Sequence, residues 1–125
     1  MNLRLTAVGA AMAAMVTLGF GLAPAAQASS WPHGCPSGAT CAYPGINFTG
    51  GAGPVYGNNT NDQQYSKWAN VESVLNNGTQ CTDWVWQNQG YRGNNIEIPI
   101  GYQNQNLSGT WAWHHLYSNH WCNPT

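Results

Sequence analysis

Charge is what this chain has least of. Its 125 residues carry 3 Lys and Arg and 4 Asp and Glu, only 6% in all. Nucleic acid and anionic membranes demand dense positive charge of a partner, so both are excluded as partners of the mature chain. Catalytic signatures are missing as well. There is no Gly-x-Ser-x-Gly, no His-Glu-x-x-His and no Cys-x(2)-Cys, which removes the common serine-hydrolase, metallopeptidase and zinc-finger readings. Asp62, Glu72, Asp83 and Glu97 are the only acids. Nothing in their spacing sets two carboxylates across a substrate as glycoside hydrolysis requires. The expectation is a non-enzymatic protein, with no catalytic residue.

Long apolar runs are also missing, with one exception at the start. Arg4 precedes an apolar stretch from Leu5 to Ala23, and Ala26-Gln27-Ala28 ends it. A short basic region, an apolar core and a small-residue Ala-x-Ala site describe a cleaved signal peptide over residues 1–28. The remainder is expected to be secreted and extracellular, without a membrane segment, at a net charge of about −2 from Lys67 and Arg92 against the four acids. Asn, Gln, Gly, Ser and Thr stand in for charge on its surface. Seven Trp and six Tyr supply the area for a core, which argues against disorder.

Four cysteines follow the leader and suit an oxidising compartment. Cys35 and Cys41 flank the turn-forming Pro36, Ser37 and Gly38 and are expected to pair, leaving Cys81 for Cys122. By loop entropy the short bridge stabilises by roughly 2 kcal/mol and the long one by roughly 4. His33 and His120 lie near cysteines, but a metal site has no supporting spacing. His114 and His115 would point to opposite faces of a strand and cannot easily share an ion. Sequons at Asn47, Asn58, Asn77 and Asn106 are near chance in so Asn-rich a chain and carry no claim.

What the chain does have is a pattern written twice. Tyr43, Phe48 and Gly50 spell aromatic-x(4)-aromatic-x-Gly, and Trp86, Tyr91 and Gly93 repeat it 43 residues later. Trp68 precedes Ser73 by five positions, as Trp113 precedes Ser118. Val71 matches Leu116, and Val55 matches Ile98. Such a period suits a unit of four strands. The two rings, five apart across a bend, can pack together. The Gly takes a positive φ or lets another strand approach closely, and the later Ser can bond to the backbone of the folded hairpin and pin it. Strands are expected at Thr40–Tyr43, Gly53–Tyr56, Glu72–Leu75, Asp83–Trp86, Asn95–Ile100 and Thr110–Trp113, bounded by Gly, Pro and Asn clusters. At most one helical turn is expected within Asp62–Ala69. The chain then divides into a leader (1–28), a linker with the small disulfide loop (29–40) and a domain (41–125) of two units, about 41–80 and 81–122.

This set resembles the Greek-key signature of βγ-crystallin domains. Cys35-Pro36-Ser37-Gly38-Ala39-Thr40-Cys41, running directly into Tyr43, is further similar to secreted bacterial proteins of the Streptomyces metalloproteinase inhibitor family. The resemblance implies an all-β fold: two Greek-key units forming one βγ-crystallin-like sandwich, stapled by disulfides. It implies a secreted binder of an extracellular protease, or of another secreted protein, acting as a peptidase inhibitor. That family's reactive loop, closed by a short second disulfide, has no clear counterpart beside Cys81. The long polar connections Gly57–Ser66 and Gly101–Ser108 are the candidate loops. A second reading is a module for cell-wall polysaccharide or other carbohydrate, with Trp84 and Trp111 as its stacking platform. A third is a calcium-stabilised structural domain. The crystallin calcium motif survives only as Asn70, Glu72 and Ser73, with Ala69 and Val74 contributing no side-chain oxygen, so no cofactor is expected.

Overall fold

Short strands, bounded by turn residues, pair into two antiparallel sheets in the computed structural model, which describes residues 31–122. The leader at 1–28 lies outside the described residues. The strands are β1 Thr40–Tyr43, β2 Gly53–Val55, β3 Ser73–Asn76, β4 Asp83–Asn88, β5 Arg92–Ile98, β6 Gln103–Asn104 and β7 Ser118–Trp121. One sheet has the order β2-β1-β3-β6 and the other β5-β4-β7. Both disulfides expected from the sequence are present, Cys35–Cys41 and Cys81–Cys122.

Each unit lends its third segment to the other unit's sheet. From the second unit, β6 pairs with β3 of the first, Val74 opposite Asn104 and Leu75 opposite Gln103. From the first unit, Asn59 forms a single antiparallel bridge with Asn119 on β7. This exchange is the Greek-key crossover, reduced in one direction to one residue pair.

The repeated motif folds as its chemistry dictates. Tyr43 and Phe48 pack edge to face at 5.4 Å between ring centroids, and Trp86 and Tyr91 pack tilted at 5.1 Å, within the favourable aromatic range. Gly50 and Gly93 lie at φ of 90° and 85°, where a side chain would be strained. Ser73 donates to the Gly45 carbonyl at 2.7 Å and accepts from the Phe48 N–H at 3.0 Å. Ser118 donates to the Asn88 carbonyl at 2.6 Å and accepts from the Tyr91 N–H at 3.0 Å. The two hairpins are pinned in the same way.

Alternation along the strands sorts side chains into two interiors. Ala42, Val55, Val74, Val85 and Ile98 point between the sheets, joined there by Trp68, Val71, Leu107 and Leu116. Each buried Val, Leu or Ile contributes about 1.5–3 kcal/mol. Trp68 also gives its indole N–H to the Gly53 carbonyl at 2.9 Å, so its polar atom is satisfied. The opposite face of the first sheet is covered separately. Cys35 and Ala39, from the segment read as a linker, pack on Cys41, Tyr43 and Leu75. His33 stacks on Phe48 at 4.2 Å, and its carbonyl accepts from the Tyr43 hydroxyl. The small disulfide therefore fastens a lid rather than a tether.

Three sequence expectations are corrected. Thr110–Trp113 is not a strand but a succession of turns. The Thr110 hydroxyl donates to the Leu107 carbonyl and accepts from the Ala112 N–H, and a Thr side chain that bonds its own neighbourhood competes with strand pairing. Trp113 is consequently only partly buried, stacked on His114 at 4.8 Å, whereas its repeat partner Trp68 is fully buried. The last strand, β7, lies in a stretch with no apolar alternation. In Asp62–Ala69 there are two short turns, Asp62–Gln64 and Ser66–Ala69, rather than one.

Candidate functional site

The loop between β2 and the helical turn at Ser66–Ala69 is held at several points. Asn59 and Asn119 exchange backbone bonds, each at 2.9 Å. The Gly90 N–H donates to the Thr60 carbonyl at 2.9 Å and the Asp62 N–H to the Tyr117 carbonyl at 2.6 Å. Gln63, Gln64 and Tyr65 then stand exposed at its end, with Tyr65 42% exposed. Beside them lies an open groove of about 390 Å³ reaching Pro54 and Trp68. The second candidate, Gly101–Ser108, is fixed by its own side chains. Asn104 Oδ1 accepts from the Asn106 N–H, and Asn106 Oδ1 from the Ser108 N–H. It buries Leu107 and presents no exposed large apolar side chain.

Trp84 and Trp111 do not form one platform. Trp84 lies on the face of β4 opposite Val85, stacked on Trp86 at 6.4 Å. That row continues through Tyr91 to His120, 5.5 Å further on. Trp111 packs against the interior between the sheets. With Trp113, Gln87 and His115 it lines an open groove of about 380 Å³.

The three calcium candidates are each engaged by protein. Ser73 uses its hydroxyl on the hairpin, Asn70 Nδ2 donates to the Ser66 carbonyl at 2.8 Å, and Glu72 meets His114 Nε2 at 3.0 Å. His115 Nδ1 lies 2.9 Å from the Trp113 carbonyl. His114, His115 and His120 join no metal-ligating group among the described residues.

Two acids missed as a pair come together inside the molecule. Asp62 and Asp83 are both fully buried. Burial pushes the Asp62 carboxyl up to about 8, with Asp83's charge adding to it. Burial pushes Asp83 up to about 7, against the lowering effect of the Asn119 amide and then of Thr40. Tyr91 is raised by its own desolvation and then by both acids. Carboxylates sealed from solvent cannot reach a substrate, so the pair offers no hydrolytic site.

A family model described as peptidase inhibitor family I36 matches residues 27–98, more than half of the chain. The chain belongs to that family. Family I36 is one of inhibitors, which implies a non-enzymatic protein, and the fold agrees with the βγ-crystallin resemblance. A structure described under the evolution of the eye lens βγ-crystallin domain fold is 22% identical, at a TM-score of 0.63 over 74% of this chain and 93% of that one. Spherulin 3a from Physarum polycephalum is 20% identical, at 0.54 over 79% and 95%. A βγ-crystallin from Ciona intestinalis is 16% identical, at 0.56 over 68% and 100%. None of the curated proteins compared by sequence matches the chain.

Proposed function

We propose that this family I36 chain is a secreted inhibitor of an extracellular metallopeptidase. It acts by presenting the loop Gly57–Ser66 to the enzyme's cleft. The family match carries the reading. Two disulfides agree with an oxidising, extracellular setting, and no helix among the described residues is long and apolar enough to cross a membrane. The backbone bonds at Asn59, Thr60 and Asp62 hold the loop before any enzyme arrives, so little ordering entropy remains to be lost on binding. Tyr65 supplies an exposed aromatic anchor of the kind that dominates binding energy.

Titration of a thermolysin-like peptidase with the purified protein tests this. Inhibition to completion near equimolar ratio is expected. Tyr65→Ala should weaken it at least about 10-fold, the loss typical of an aromatic hot spot, while Gln105→Ala on the other loop should not. No inhibition at large molar excess rejects the reading, and equal loss from both variants rejects the choice of loop.

A second reading follows from the aromatic row on β4. Trp84 stacks on the buried Trp86, which tilts against Tyr91, so Trp84 and Tyr91 are the partly exposed rings of a row suited to the sugar rings of cell-wall polysaccharide. Retention on peptidoglycan, chitin or cellulose that disappears with Trp84→Ala supports it; no retention on any of them removes it.

A further inference from the structure

The space between the sheets is apolar along most of its length and acidic at one end. Thr40 shares the inner face of β1 with Ala42, and Asp83 shares the inner face of β4 with Val85. Asn119 sits opposite Val85 on β7. Asp62 arrives at the same end from the 57–66 loop, within reach of the Asp83 charge. Of the four carboxylate oxygens, only Asp83 Oδ1 has a partner, the Asn119 amide at 2.9 Å. Both Asp62 oxygens and Asp83 Oδ2 have none, and neither does Asn61 Oδ1. The Thr40 hydroxyl, wholly buried, faces the Asp83 carboxyl without making a hydrogen bond of good geometry. These are five buried oxygens, and no ion pair reaches either acid among the described residues. Lys67 lies over Gly51 and Gly53, and Arg92 is exposed on β5.

The duplication supplies an internal control. Asp62 takes the place that Leu107 takes in the second unit. Both are buried, and their N–H groups bond to equivalent carbonyls, Tyr117 and Glu72. Asp83 likewise takes the place of Thr40, each standing at the start of its unit's first strand, opposite Ile98 and Val55 respectively. The architecture therefore accepts a neutral residue at both positions. Two carboxyls buried side by side cannot both ionise without a cost of several kcal/mol, and a positive species between them removes that cost.

We propose that Asp62, Asp83 and Thr40 form a buried site for a hard divalent metal cation of the calcium type. An all-oxygen donor set with two anionic members is what such an ion selects. Soft metals have no ligand here. The site is separate from Asn70, Glu72 and Ser73. Because Asp62 anchors the exposed loop, the ion fastens that loop to both sheets. The proposal is independent of what the loop binds.

The test is thermal melting of the purified, disulfide-intact protein at neutral pH, in calcium, magnesium or manganese and in EDTA, with native mass spectrometry to count bound ions. Calcium is expected to raise the melting temperature by several degrees over EDTA, with one ion per chain. Asp62→Leu, which copies Leu107, should melt at or above the wild type in EDTA and ignore calcium. Asp83→Thr, which copies Thr40, serves the same purpose should the first variant fail to fold. Equal melting of the wild type in every metal and in EDTA overturns the proposal. So does a calcium response that survives in the variants, which places the ion elsewhere.

Discussion

Removing one hydroxyl, with Ser118→Ala, should unfasten the second hairpin. Ser118 Oγ holds the Asn88 carbonyl at 2.6 Å and the Tyr91 N–H at 3.0 Å, and the residue is fully buried. Alanine leaves both backbone groups without a partner, in a place too crowded for water to reach freely. Each orphaned group costs about 1–3 kcal/mol, and their partial burial puts both near the low end, so about 2–3 kcal/mol is expected together. A domain of this size has about 5–15 kcal/mol in hand. The loss should lower the melting temperature by about 10–20 °C. Urea unfolding followed by tryptophan fluorescence, with the disulfides intact, measures it. Ser73→Ala should cost a similar amount, because its two bonds, at 2.7 Å and 3.0 Å, match those of Ser118. The double variant should show the sum, since the hairpins belong to different sheets and share no partner. A cost under about 0.5 kcal/mol, the level of an ordinary surface change, in either single variant refutes the idea that these hydroxyls pin the fold.

Stability in chelating buffer should fall as pH rises. Asp62 and Asp83 titrate near 8 and 7 when folded, far above their unfolded values, so the folded state holds more protons between about pH 4 and 8. Their stabilising contribution is complete below the unfolded value and is lost as pH rises through the folded ones. The neighbouring groups are Thr40, Asn119 and Tyr91, and none supplies a compensating positive charge. Urea midpoints should decrease from mildly acidic to alkaline buffer, and a midpoint that rises over that range contradicts the burial of the pair. Replacing Cys81 and Cys122 together by Ala should destabilise by roughly 4 kcal/mol and replacing Cys35 and Cys41 by roughly 2, if loop entropy dominates. The reverse order, read from denaturation midpoints, would show that packing of the N-terminal lid on Tyr43 and Leu75 outweighs loop length.

Much of the fold was legible because duplication shows what one copy cannot. Spacing alone identified Ser73 and Ser118, the ring pairs, both positive-φ glycines and the buried equivalents Val71 and Leu116. The reading failed where stability comes from polar pairing. In β7, Ser118-Asn119-His120-Trp121 shows no apolar alternation. It is held by its ladder to β4 and by Asn119, whose amide reaches Asp83 and the Gly57 carbonyl. Thr110–Trp113 resembled a strand by composition, but the Thr110 side chain closes turns there instead. The acidic pair had a signal that went unused. Laid over its partner unit, Asp62 falls on Leu107 and Asp83 on Thr40, a charge in each case where the companion has none.

The crossover of β6 onto β3, and of Asn59 onto β7, gives this small protein an unusual dependence on wholeness. The first half lacks the β6 edge of its own sheet, and the second half completes its three strands but lacks the Asn59 bridge on β7. A break introduced near Asn77-Gly78-Thr79 yields one fragment that is an edge strand short and a second that carries that strand, each the other's natural complement. They form a ready-made split pair, whose reunion reports that two tethered molecules have met.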